Sequence, residues 1–329
     1  MKLVPEWYQH EFCLIAWPCN NELYTNILPL AKLEVAKVIF EISKNEKVII
    51  VCNDKDQKEI DNFKFNKNVT KFICPLDDSW MRDIAPIFYL ENKELKSINF
   101  NFNGYGKYEN FAHDNKASEL ISNYLNIPSL SSNITLEGGA ITYDDKENLF
   151  TTSNVIFNKN RNQKKSKKNI LKELKKLFEI KNIFLFDYGL INDDTDGHID
   201  NIFCPIENNK YLIAGSSKKN PNYEILKKNK FDIIEFFNNT NQEFEIIEIP
   251  LPSDKIINQK KITGSYINFY FSKNKIILPS FNVREDYEIY SIFKDIFPQR
   301  EIVMIETSNI NYGGGNIHCI TMNVPKYYD

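Results

Sequence analysis

The sequence predicts an α/β protein built as a closed ring of five ββαβ-like units. Three observations carry that expectation. A hairpin, a helix and a further strand recur in that order along the chain. The turns that open the units, marked by Asp83, Glu137, His198, Tyr266 and His318, follow one another at intervals of 54, 61, 68 and 52 residues, and a period of this size suggests a radial or stacked array. The strand near each chain end lacks a hairpin partner; pairing the two closes the ring and removes a sheet edge.

The elements follow in order. Residues 11–17 read as a buried strand ended by Pro18. Residues 22–44 have helical periodicity through Leu23, Ile27, Ala31, Val35, Val38 and Ile42, with Pro29 marking where the regular helix starts. Residues 48–52 form a strand, 56–63 a short helix and 71–74 another strand. The polar stretch 77–83 is turn-like and opens the first unit, with strands at 84–90 and 95–102 and a helix at 111–125. The second unit opens at Glu137-Gly138-Gly139. Its strands are 140–143 and 149–152, its helix 167–178 and its last strand 183–186. The third opens at 193–200, with a hairpin of 201–205 and 211–214, a helix starting at Asn220-Pro221 and a strand at 244–249. The fourth opens at 263–266, with a hairpin of 267–271 and 275–278, a helix at 286–297 and a strand at 301–305. The fifth opens at Gly313 and has one strand left. No Pro/Gly/Ser linker interrupts the series, so residues 1–329 are expected to form a single catalytic domain.

Bulk composition narrows the function classes. The chain has 329 residues with 41 basic and 44 acidic side chains, and this near-neutral balance implies neither nucleic acid nor an anionic membrane as partner. No apolar stretch is long enough to span a bilayer. The N-terminal apolar run is too short for a secretory signal. The six cysteines form no C-x-x-C pair and no metal-type spacing, so a reduced, cytoplasmic protein is expected.

The unusual polar residues fall at the opening turns. Asp83, Glu137, His198, Asp200 and Cys319 each sit there, and a ring brings such turns to one end. A thiol beside Gly313-Gly314-Gly315 is well presented as a nucleophile, and the middle glycine, Gly314, lets a ligand approach the main chain. Carboxylates beside an imidazole prefer a cation; Asp83 and Asp200 can grip a planar guanidinium by paired hydrogen bonds, with Trp80 as a wall beneath it. His198 can donate a proton to a departing amine and then activate water. Glu137 can fix the His198 tautomer. Blander readings stand beside these. Arg82–Asp83 has a surface ion pair as its alternative reading. Asp193, Asp194 and Asp196 read as loop or cap residues, and His10 and His113 as surface or packing residues. His318 reads as structural, pointing to the opposite strand face. Cys13, Cys52, Cys74 and Cys204 read as core, and Cys19 as a loop thiol.

With these residues assembled, the chain resembles the agmatine deiminases, which belong with the bacterial-type peptidylarginine deiminases in the guanidine-modifying pentein superfamily. The matching stretches are Trp80-Met81-Arg82-Asp83, Glu137-Gly138-Gly139, Asn158-Lys159-Asn160-Arg161-Asn162, Asp193 through Asp200, Ser265 through Tyr270 and Gly313 through Thr321. The resemblance implies a five-bladed pseudo-symmetric α/β propeller. It implies Cys319 as nucleophile, His198 as acid and base, Asp83 and Asp200 as guanidinium ligands, Glu137 supporting His198, and Asp194 in the substrate pocket. It implies no cofactor and no metal, and a homodimer on family grounds alone. The implied reaction is hydrolysis of agmatine to N-carbamoylputrescine and ammonia through a covalent thiouronium. One stretch departs from the family pattern: where a Trp usually follows Phe-Asn, this chain has Phe102-Asn103-Gly104-Tyr105-Gly106, an altered pocket wall. Alternatives are the same chemistry on peptidyl-arginine or free arginine, a metal-dependent hydrolase built on His198 and Asp200, and a non-catalytic guanidine sensor.

Overall fold

The structure, a computed structural model, describes residues 1–326. Among these residues five sheets of three or four strands and one small hairpin form. In the second unit, Ile141–Tyr143 runs antiparallel to Asn148–Thr152, which pairs in parallel with Asn182–Phe186. The third repeats this with Phe203–Ile206, Lys210–Gly215 and Glu245–Pro250. The fourth does so with Tyr270–Ser272, Lys275–Ser280 and Glu301–Glu306. The first uses Ile87–Glu91, Glu94–Asn101 and Ser129–Thr135, and gains an edge strand from Lys2–Leu3. The fifth joins the chain ends: Thr321–Pro325 pairs antiparallel with His10–Ala16, followed by Lys47–Cys52 and Val69–Ile73 in parallel. This is the five-bladed propeller expected from the repeat.

The middle strands explain themselves. Asn148–Thr152 is buried along its whole length, and Lys47–Cys52 at every residue after the first. Strands covered on both faces read as continuous rather than alternating apolar runs. Each parallel return needs a crossover, and a helix supplies it. Lys167–Phe178 buries Ile170, Leu174 and Phe178, a stripe at four-residue spacing. Each such side chain contributes about 1.5–3 kcal/mol when fully buried. Ser166 caps the helix by accepting from Asn169 N–H, and Glu179 ends it in the left-handed region at φ 52°.

Several details differ from the sequence reading. Ser129–Thr135 is rich in Ser and Asn and half-exposed at the rim, so it carries little strand signal. The hairpin Lys255–Ile257 with Lys260–Ile262 hides in a lysine-rich stretch; its turn, Asn258–Gln259, has both φ angles positive, as a tight hairpin prefers. The third-unit helix starts at Tyr223 and not at Pro221, because the Asn222 side chain is drawn off to accept from Ile191 N–H. Asp83 lies on a one-turn helix, Met81–Ile84. Cys19 lies in the loop after His10–Ala16, as expected, and is buried there.

Ring closure rests on His10–Ala16, flanked on both sides and buried from Cys13 to Ala16. Leu14→Ala is expected to cost about 2–5 kcal/mol, read as a lower denaturant midpoint at unchanged slope. A loss below about 1 kcal/mol would show that the site can collapse and that closure contributes little.

Candidate active site

The five opening turns touch in sequence around the ring. Asp83 Oδ1 accepts from Gly139 N–H at 2.9 Å. Glu137 Oε2 stands 4.0 Å from His198 Nε2. Ser265 Oγ donates to Asn201 O at 2.7 Å. Cys319 N–H donates to Asn268 Oδ1 at 3.3 Å. Arg82 N–H donates to Cys319 O at 3.0 Å. The functional side chains are therefore held by backbone neighbours from adjacent units. Gly139 shows how tight the packing is: a Cβ there would lie 2.6 Å from His198 Nδ1 and 2.9 Å from Asp83 Oδ1, so only glycine fits.

One narrow cavity receives six of the expected residues; Asp200 and Glu137 are not in its lining but stand against Cys319 and His198. Trp80, Asp83, Asp194, His198, Gly314 and Cys319 all line it. Cys319 Sγ lies 3.5 Å from Asp200 Oδ2, and accepts from Asn268 Nδ2 at 3.2 Å. Burial, with Asp200 and Asp83 nearby, pushes the thiol well above its ordinary range; Asn268 acts the other way. His198 is 1 % exposed, and neither ring nitrogen has a hydrogen-bond partner among the described residues. The same holds for Asp200 Oδ1 and Glu137 Oε2. Buried polar atoms are nearly always partnered, so four such atoms in one cluster mark a place for polar occupants.

The carboxylates are held differently. Burial raises the Asp83 carboxyl to about 6, with His198 opposing and Asp200 reinforcing the shift. Burial would also raise Asp200, but His318 outweighs it by hydrogen bond and charge, and Asp200 stays below its ordinary range. His318 Nδ1 is 2.9 Å from Asp200 Oδ2, and its Nε2 is 2.9 Å from Glu6 Oε2. Arg82 Nη1 closes this group on Glu6 Oε1 at 2.9 Å. Burial would raise the Glu6 carboxyl, but Arg82 and His318 bring it down to about 2. Glu137 is fixed by Arg161, whose Nε donates to Oε1 at 2.9 Å. That contact turns the other oxygen toward His198 at ion-pair range, longer than the hydrogen bond expected from the sequence.

Some expectations change. Arg82–Asp83 is no surface pair: both are buried, and Arg82 turns away to Glu6 and to Asn323 Oδ1. His318 does turn from the thiol, yet it grips a carboxylate of the site. Asn268 and Tyr105 were missed as site residues. Asn268 had a signal in its register, because it precedes its strand by two residues as Cys319 does. Tyr105 OH donates to Asp83 Oδ2 at 2.8 Å; only its place in a departing stretch pointed to it. Trp80 is anchored by Nε1 donating to Asp78 Oδ2 at 3.2 Å. Asp194 is half-exposed at the mouth, 3.7 Å from Lys260 Nζ. Gly314, at φ 106°, abuts it. Asp193 and Asp196 serve the loop: Asp193 Oδ1 accepts from Thr195 N–H at 2.8 Å, and Asp196 pairs with Arg161 and Lys107. No helix among the described residues is long and apolar enough to cross a membrane.

The sequence profile of the Porphyromonas-type peptidyl-arginine deiminases matches residues 2–325. Similar proteins include the agmatine deiminase of Medicago truncatula, 30 % identical over 97 % of this chain and 95 % of that protein. The agmatine deiminase of Pseudomonas aeruginosa (strain LESB58) is 28 % identical over 98 % of this chain and 95 % of that one. Among solved structures, a cysteine-to-serine variant of the C. jejuni agmatine deiminase with substrate bound superposes with a TM-score of 0.92. It is 26 % identical, and the match covers 100 % of this chain and 97 % of that one.

The electrostatics predict the reactivity of the thiol in the free protein. Replacing Asp200 by Asn removes a negative charge beside Sγ and lowers the thiol's proton affinity. Alkylation of Cys319 near neutral pH should then quicken, about tenfold for each pH unit by which the thiol's ionisation midpoint falls. Asn268→Ala should slow it. Peptide mass spectrometry after timed iodoacetamide exposure reads both; an unchanged rate in Asp200→Asn would contradict this charge assignment.

Proposed function

The chain belongs to the Porphyromonas-type peptidyl-arginine deiminase family, and from that premise we propose that it hydrolyses agmatine to N-carbamoylputrescine and ammonia. The observation that carries this reading is the set of unpartnered buried atoms, two on His198 and one each on Asp200 and Glu137, clustered at a cavity lined by His198, Asp83 and the Cys319 thiol, with Asp200 against Cys319 and Glu137 against His198. Acidic acceptors in a dry pocket suit a cation. A guanidinium forked by Asp83 and Asp200 lies flat against Trp80, with its carbon toward Sγ.

The cation offsets the charges that hold the thiol protonated, so the nucleophile forms as the substrate settles. The thiol's proton passes to His198. The thiolate adds to the guanidinium carbon, and His198 returns that proton to the departing nitrogen, which leaves as ammonia. The carbon–sulfur bond of the thiouronium remains. His198 then takes a proton from water as the oxygen adds. The carbon–sulfur bond breaks as the new hydroxyl gives its proton to the departing sulfur, leaving the neutral urea product and the thiol. The proton on His198 is released to solvent, where the ammonia takes it up as ammonium. Glu137, backed by Arg161, stabilises the His198 cation in both steps.

The walls favour agmatine over its rivals. Tyr105, Tyr108, Leu23 and Trp80 confine the cavity, which suits a slender chain better than a peptide. Asp78 and Asp194 also line it; they attract a terminal ammonium and repel the α-carboxylate of free arginine. The five units act as one catalytic domain, and a reducing cytoplasm is the setting that keeps such a thiol free.

Ammonia release from agmatine, free arginine and a blocked arginyl peptide tests this proposal. Agmatine should be turned over selectively, and Cys319→Ala should abolish release with the fold intact. Asp83→Asn should raise KM about 10- to 100-fold, the scale of a lost charge-assisted hydrogen bond. Because Asp83 binds the cation only when ionised, kcat/KM should fall about tenfold per pH unit below about 6. Residual activity in Cys319→Ala would overturn the mechanism, and release from arginine or the peptide alone would overturn the substrate.

A further inference from the structure

Tyr105 sits in an unusual conformation at the edge of the cavity. Its φ is 59°, between Gly104 at 61° and Gly106 at 67°. Bulky side chains rarely adopt this region, and one that does is held there by its surroundings. Here the surroundings are specific. Asn160 Nδ2 donates to Tyr105 O at 3.1 Å. The Phe102 ring meets the Tyr105 ring edge-on at 5.1 Å, and the His198 ring does so at 6.0 Å. The Arg161 guanidinium stands 5.9 Å from the ring centre. All of this aims one hydroxyl at one oxygen, Asp83 Oδ2 at 2.8 Å.

From this geometry, and resting on the guanidine-hydrolase reading above, we propose that Tyr105 is the positioning residue that sets Asp83 for its substrate. A carboxylate offers about two acceptor positions on each oxygen. Gly139 N–H takes one on Oδ1 and the Tyr105 hydroxyl takes one on Oδ2. One position on each oxygen is left, the number a guanidinium fork requires. The hydroxyl thus fixes the rotation of the carboxylate and favours its charged form. The phenol cannot supply that charge itself, because burial and Asp83 push its own ionisation well above the ordinary range; it acts as a donor at every working pH. The other groups acting on Asp83 are His198, whose Nδ1 is 3.7 Å away, and the charges of Asp200 and Glu137. A Phe at this position keeps the ring contacts and loses the donor. A Trp keeps aromatic bulk and has no hydroxyl to place there.

The test compares the wild-type chain with Tyr105→Phe and Tyr105→Trp by two readouts. One is the carbon-13 carboxyl titration of Asp83, assigned by its disappearance in Asp83→Asn. The other is KM and kcat for agmatine between about pH 5 and pH 9, a span that brackets the Asp83 midpoint of about 6. The Asp83 midpoint should rise by about one pH unit in both variants, the scale of a lost hydrogen bond to a charged group. KM should rise about fivefold near pH 6, approach about tenfold near pH 5 and return toward the wild-type value at high pH, with kcat nearly unchanged. A KM penalty equal at every pH would indicate a merely structural role and overturn the proposal, as would an unmoved midpoint. The titration needs no turnover. If the wild-type chain releases no ammonia from agmatine, the functional reading falls while the midpoint still decides whether Tyr105 holds Asp83.

Discussion

Three buried carboxyl groups cluster around a thiol and an imidazole, and the cost of keeping negative charge there shapes the rest of the structure. Each carboxylate has its own compensation. Glu137 has Arg161. Asp200 has His318, backed in turn by Glu6 and Arg82. Asp83 has only neutral donors, Gly139 N–H and the Tyr105 hydroxyl, besides the imidazole nearby. It is also the group whose proton affinity burial raises, to about 6. The site is therefore left short of positive charge at Asp83 and at the free oxygen of Asp200, where the proposed substrate cation would complete it. Two of the chain's four arginines are spent on this balance.

The ring makes such a balance attainable. No single unit could hold these groups, since each contributes one or two. Closing the sheet of Thr321–Pro325 with His10–Ala16 brings the last turn back against the first, and Arg82 N–H meets Cys319 O at that join. The Cys319 thiol thus shares a cavity wall with the Asp83 carboxyl group. The glycines at the join of the units, Gly139 above all, let the turns approach within contact distance, and precision here comes from backbone packing rather than from long side chains.

Much of this was legible in the sequence, for a physical reason. The repeat announced itself through helix and strand periodicities, and the opening turns through residues too polar for their apolar surroundings. Lys167–Phe178 was readable to the residue because its stripe and its Ser166 cap agree. Other features left no local mark. Ser129–Thr135 is held by pairing rather than by apolar content. The grip of His318 on Asp200 depends on a side chain turning back across its own strand. The roles of Glu6 and Arg82 depend on contacts more than 70 residues apart in sequence. Tyr105 was visible only as a departure from a pattern, and its hydroxyl contact needed coordinates.

Completion of the acidic pocket by a planar cation is tested most directly by a crystal structure of Cys319→Ser with agmatine. The guanidinium should be forked by Asp83 and Asp200 and lie flat against Trp80. Its carbon should sit above the hydroxyl that replaces the thiol, and its ammonium at Asp194. A guanidinium held elsewhere, or agmatine bound with its ammonium between the two carboxylates, would contradict this picture of the pocket.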